Sequence, residues 1–239
     1  MYRKINFTVS FTILILYFIY PVFLSSEENL ISNPGIENVI ATEEAKKLIS
    51  VEQHQGNILY FGLIPSTMLP REWFPYSGGG YGVWGATDEQ AHSGKYSIFL
   101  LFKDFQKYQG SDIISLFLHT QQVEVEPDTE YEFSFWIKGN IPIVTIRGFL
   151  WNDKNERFFL EGSGLIKELR KDGVVIRGIS LRQPVKISAN EQWSHYSMLI
   201  RINGESKRLQ MRIGLDDMNQ PLASGNTIYI DDVQLIKKK

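Results

Sequence analysis

The chain has 239 residues, 43% of them hydrophobic and 13% aromatic, and a formal net charge of −2. That balance gives no electrostatic reason to expect nucleic acid or an anionic membrane as a partner. Cysteine is absent, which excludes disulfides, thiolate metal sites, cysteine nucleophiles and bacterial lipid attachment. A domain of about 200 residues buries roughly 70% of its extended-chain surface, so it needs no covalent staple even if exported.

Arg3 and Lys4 precede the apolar run Phe11–Leu24, and Ser25, Ser26, Glu27 and Glu28 follow it. A basic start, an apolar middle and a small polar exit predict a secretory signal peptide over residues 1–26. Counted from Ile5, the apolar stretch is also about as long as a bilayer span, about 20 residues, so an uncleaved membrane anchor is the alternative. Both readings place the rest of the chain outside the cytoplasm: secreted, periplasmic or at the cell surface. The membrane is a partner only in the second.

Downstream, the pattern is one of short strands and turns. Glu43–Ser50 reads as a short helix in an insertion, with acidic residues first and lysines later, as the helix dipole favours. Arg71–Gly85 places Trp73, Phe74, Tyr76, Tyr81 and Trp84 among glycines and reads as a surface loop. Tyr96–Phe102 is an apolar run of strand length. Tyr131–Lys138 alternates strictly, with Tyr131, Phe133, Phe135 and Ile137 on one face and Glu132, Ser134, Trp136 and Lys138 on the other. Ile143–Trp151, Val174–Leu181, His195–Ile202, Leu209–Leu215 and Thr227–Ile236 are further strand candidates, and Lys167–Asp172 reads as a helical turn or loop. The expected fold is all-β: a two-sheet antiparallel β-sandwich with jelly-roll topology over residues 29–236.

Three segments carry a resemblance. Asn29-Leu30-Ile31-Ser32-Asn33-Pro34-Gly35-Ile36-Glu37 opens the domain, and Pro70 and Trp73 follow. His92, Ser93, Gly94, Lys95 and Ser97 form a turn into a strand, and Val125, Pro127, Tyr131, Ser134, Phe135, Trp136 and Lys138 mark another strand. Trp193 and the closing Ile230, Asp231, Asp232 and Val233 complete the order. This order resembles carbohydrate-binding modules of families 4, 9 and 22, β-jelly-rolls of the galactose-binding-like group. Ile36 stands where those modules usually have Phe, and the stretches 38–69 and 151–186 match poorly.

The resemblance implies a non-catalytic module that binds a polysaccharide or glycoconjugate and often flanks a glycoside hydrolase. It also implies a structural Ca²⁺, with Glu37 and Asp231 as side-chain ligands and Ser93 and Lys95 as carbonyl ligands. Flat rings suit the apolar faces of sugars, which makes Tyr76, Tyr81, Trp84, Trp136 and Trp151 the candidate ligand-binding residues. Burial in the core is the competing expectation for any of these rings. Two other functions stay open: a cell-envelope protein-interaction domain of the same fold, and a glycan-cleaving enzyme needing two carboxylates across a cleft. Glu124 and Glu126 share a strand face but read as a solvated edge, and Gly80–Gly85 matches GxGxxG without the strand and helix that motif needs.

Overall fold

The computed structural model describes residues 28–44, 63–78, 80–105, 115–160, 165–177, 183–215 and 222–238. The expected signal segment, residues 45–50 of the expected helix and residues 178–181 of an expected strand lie outside these; residues 42–44 are helical.

The first strands are β1 (Val39–Ala41), β2 (Leu63–Pro65), β3 (Met68–Pro70), β4 (Phe74–Ser77), β5 (Gly80–Thr87) and β6 (Ser97–Phe105). Next come β7 (Leu116–His119), β8 (Val123–Glu124), β9 (Glu130–Gly139), β10 (Val144–Trp151), β11 (Arg157–Phe159) and β12 (Ile166–Lys171). The last are β13 (Val174–Val175), β14 (Val185–Ile187), β15 (Ser194–Arg201), β16 (Arg208–Leu215) and β17 (Thr227–Lys237).

They form a β-sandwich. The larger sheet runs β13-β12-β15-β9-β17-β6-β5-β2, and the smaller runs β11-β10-β16-β7-β4, with β14 and β8 attached to β10 and β16. Pairing is antiparallel except at one edge, where β2 lies parallel to β5. Two segments differ from the sequence reading. Residues 167–171 belong to β12, because Leu169 alternates inward to meet Met198. Residues 80–85 belong to β5: a Cβ at Gly80 would clash with the Leu116 side chain, and one at Gly82 with the backbone oxygen of Leu101.

Alternation builds the core. Tyr131, Phe133, Phe135 and Ile137 of β9 are buried, and Phe133 and Phe135 face Met198 and Tyr196 of β15. From the smaller sheet, Val144, Ile146 and Leu150 meet the same core beside Leu209, Met211 and Ile213. Tyr131 also accepts a hydrogen bond at its hydroxyl from the Glu126 backbone N–H (2.9 Å), which fixes the approach to β9.

In β17 the inward positions change parity. Ile228 and Ile230 point inward before Asp231-Asp232, and Val233 and Leu235 do so after it. The register against β9 shifts at that point, and Asp232 adopts a left-handed φ of 47°. This is a β-bulge: one extra residue lets both halves of the strand bury their apolar set. Deletion of Asp232 should therefore abolish cooperative urea unfolding. Asp232→Gly keeps the count and the backbone conformation and should cost only about 1–3 kcal/mol.

Candidate functional site

The four residues expected to hold calcium do meet, at a corner on the outer side of the larger sheet. Glu37 Oε1 accepts backbone hydrogen bonds from Lys95 (2.7 Å) and Tyr96 (3.1 Å). Asp231 Oδ2 accepts from the backbone N–H of His92 (2.8 Å) and Ser93 (3.1 Å), and its Oδ1 accepts from Asp232 N (2.8 Å). Gly94 sits between them at φ 59°, where a Cβ would lie 2.2 Å from Glu37 Oε1. Asp232 adds bonds to the His92 ring (2.7 Å) and the Ser93 hydroxyl (2.5 Å).

Asp231 has no exposed surface, and burial pushes its carboxyl up to about 6 against the pull of the backbone amides, with Asp232 pushing the same way. A buried carboxylate suits a hard cation in kind, although both Asp231 oxygens already accept backbone N–H bonds. In number the set falls short: no three His, Asp or Glu side chains among the described residues converge on one point. Turn carbonyls such as those of Ser93 and Lys95 would have to complete the 6–8 oxygens calcium takes.

The candidate rings do not assemble into one surface. Trp84, expected on a loop, faces inward from β5 and is buried, since the loop is a strand whose alternation spends that position on the core. Tyr81, its neighbour three positions earlier, points to the outer side of the larger sheet and is exposed. Trp136 lies on that same side but is half covered: the His92 ring stacks on it at 3.8 Å and His195 lies 5.2 Å away. A groove of about 390 Å³ also opens on this side, with Phe99, Leu101 and Tyr229 among its lining and Asp88 and Glu89 as its acidic part.

Tyr76 and Trp151 belong to the other face of the molecule, the outer side of the smaller sheet. Register places Phe74 and Tyr76 of β4, Phe117 and His119 of β7, Arg212 and Gln210 of β16, Phe149 and Trp151 of β10, and Phe159 of β11 there. Their rings form a continuous track. Tyr76 is 5.8 Å from His119, His119 is 6.3 Å from Phe149, and Phe149 is 5.7 Å from Trp151 and 5.2 Å from Phe159. Five strands at about 4.8 Å spacing make this track roughly 19 Å long. Its ends are open, with Phe74, Tyr76 and Phe159 each 40–46% exposed. A polar depression of about 360 Å³, lined by Glu124, Asn152, Asp153, Lys207 and Arg208 among others, adjoins the Trp151 end.

Polar groups are set among the rings. The Arg212 guanidinium lies 4.3 Å over Phe149 and 4.5 Å over Phe117, and Arg157 lies 4.8 Å over Phe149 from the neighbouring strand. Burial, with Arg212 nearby, drives His119 down to about 3, so its ring is neutral. Its Nε2 is buried and has no hydrogen-bond partner among the described residues. Such an atom is costly unless a ligand completes it.

Sequence reading missed Phe149, Phe159, His119 and Arg212 as site residues. The signal was their alternate position with Trp151 and Gln210, which only strand pairing makes visible.

No protein-family model and no curated sequence matches this chain. Among solved structures it is similar to a family 61 carbohydrate-binding module in complex with β-1,4-galactotriose, at 14% identity and TM-score 0.46, covering 88% of this chain and 99% of that one. It is similar to a family 4 module at 15% identity and TM-score 0.48, covering 87% and 99%. It is also similar to a putative sugar-binding protein from Bacteroides thetaiotaomicron at 13% identity and TM-score 0.48, covering 88% and 100%.

The raised Asp231 carboxyl makes a pH prediction. Its folded pKa of about 6 exceeds the ordinary value of 3.8, so the native state holds the extra proton between them. Metal-free protein should lose about 1–3 kcal/mol of stability as pH rises from about 4 to about 6. Asp231→Asn should flatten that slope in urea melts recorded across the range.

Proposed function

We propose that the protein is an exported, non-catalytic module that binds a polysaccharide or glycoconjugate on the outer face of its smaller sheet. The observation that carries this reading is the ring track from Tyr76 through His119 and Phe149 to Trp151 and Phe159. The exposed rings of Tyr76 and Phe159 and the part-exposed Trp151 give stacking surfaces for the apolar faces of sugars, with Phe149 buried beneath them as support, and Gln210 and Arg208 give hydroxyl partners. Polar groups interleaved with the rings favour sugar over a protein partner, which would suit a broad, flat apolar patch. Glycan cleavage would need two facing carboxylates; the strand position that offers one here, Glu124, stands opposite Arg208.

Glycan-array or polysaccharide-retention assays on residues 29–239 test this reading. Tyr76→Ala, Trp151→Ala and Phe159→Ala should each weaken binding about 3- to 10-fold, with melting temperatures nearly unchanged. Tyr229→Ala, in the groove of the opposite face, should bind as the parent does. Retention lost only in Tyr229→Ala would move the site to that groove. No retention on any glycan would end the reading.

We propose further that Ca²⁺ is held at the Glu37–Asp231 corner as a structural ion, with Ser93 and Lys95 giving carbonyl oxygens. Calcium should raise the melting temperature and abolish the acid-side slope attributed to Asp231, and EDTA should reverse both. A melting curve indifferent to EDTA would leave the backbone N–H bonds as the only fastening of that corner.

A further inference from the structure

The groove on the outer side of the larger sheet has no role in the proposed sugar binding, and its shape follows from strand register. Phe99 and Leu101 of β6 stand opposite Tyr229 and Thr227 of β17, and all four are half-buried. The β5 position opposite Phe99 is Gly85. A Cβ there would collide with Ser66 Oγ and Met68 O, so residues 66–68 occupy the place of a β5 side chain. Ser66 N donates to Trp84 O (2.8 Å) and Ser66 Oγ to Met68 O (2.8 Å), which fixes that segment as a wall. Asp88, Glu89 and Tyr96 also line the groove.

Its charge is of one sign. Asp88 and Glu89 are exposed, and no Lys, Arg or His belongs to the lining. Neither carboxylate forms an ion pair among the described residues. Two lysines of this side are engaged elsewhere. Lys138 Nζ donates to Gln90 Oε1 at 2.6 Å, and Lys95 lies 4.7 Å over the Tyr96 ring, attracting Asp88 only through space. Phe99 and Tyr229 are therefore the rings open to a ligand. Burial, with Glu89 nearby, pushes the Tyr229 phenol up, so that ring is neutral.

Aromatic faces carry the negative end of the ring quadrupole, so rings and carboxylates here favour the same sign of ligand charge. An anion is repelled, and a neutral body gains only from the rings. Carboxylates accept hydrogen bonds and do not donate them, which selects a cation bearing N–H donors over a fully methylated one. The volume, about 390 Å³, suits a small molecule.

We propose that this groove is a second binding site, for a primary ammonium on a small apolar body, an amino sugar or a short alkylamine. The ammonium meets Asp88 and Glu89, and the body lies on Phe99 and Tyr229. The site is separate from the ring track of the opposite sheet and stands independently of sugar binding there.

The test is a ligand-observed NMR titration of the purified protein with glucosamine and with pentylamine, beside their neutral counterparts N-acetylglucosamine and pentanol. At least one amine should bind at least about tenfold more tightly than its counterpart, and the advantage should shrink between about 0.02 and about 0.5 M salt. Asp88→Asn combined with Glu89→Gln, both at exposed positions, should weaken the amine about tenfold and leave the neutral compound within about twofold. Tyr229→Ala should weaken the amine about 3- to 10-fold, and Tyr229→Phe should stay within about twofold of the parent. Tyr76→Ala, on the opposite sheet, should change nothing. Binding of glucosamine without pentylamine supports the proposal with the amino sugar as the source, and the reverse supports it with the alkylamine. Equal binding of amine and neutral counterpart overturns it, as does undiminished amine binding in the double carboxylate variant. Loss of the amine in Tyr76→Ala would place it on the ring track and also overturn the proposal. Binding of neither amine overturns it and leaves sugar binding on the smaller sheet untouched.

Discussion

Every long strand in this molecule has one face committed to a core shared between two sheets, and everything else follows from that commitment. Phe133 and Phe135 of β9 pack beside Tyr196 and Met198 of β15 because the two strands pair in register, side chain to side chain. The residues between them are then placed on the outside without any choice of their own. Function on such a scaffold is written on the outer faces, and the two outer faces here are chemically different.

On the larger sheet, the outer face is occupied by the protein itself. The turn from His92 to Tyr96 lies across it, fastened by Asp231 and Glu37 through four backbone N–H groups. The His92 ring stacks on Trp136 and covers part of the outward tryptophan on that side. The opening segment is tied to the same region: Asn29 Oδ1 accepts from Leu235 N (2.9 Å), and its amide donates to Val233 O (3.2 Å). Pro34 O accepts from Val233 N at 2.8 Å. Much of what looks like a signature in the sequence is therefore fastening, in which short polar side chains substitute for strand pairing at the chain's entry and exit.

On the smaller sheet, rings and guanidiniums share one surface, and each shapes the other. A guanidinium over an aromatic face gains from the ring's quadrupole and keeps its donors at the edge. Phe149 is the centre of this: it touches His119, Trp151 and Phe159, and both Arg157 and Arg212 lie over it. The neutrality of His119 has the same origin, burial beside Arg212.

The sequence by itself determined the strand character of residues 131–138 and the sandwich class, because alternation and turn signals are local and survive without tertiary context; the meeting of Glu37, Ser93, Lys95 and Asp231 came only from a family resemblance, since nothing local joins residues so far apart in the chain. It also contained the parity change across Asp231-Asp232, readable as Ile228 and Ile230 against Val233 and Leu235. Glycine content misled at residues 80–85: those glycines serve close approach to Leu116, Leu101 and Ser66, not a loop, and Trp84 was drawn inside with the strand. Which rings stand side by side was decided only by tertiary structure. Tyr76, His119, Phe149 and Phe159 come from four strands spread over more than a third of the chain, and only the order in which strands hydrogen-bond brings their outward positions into line.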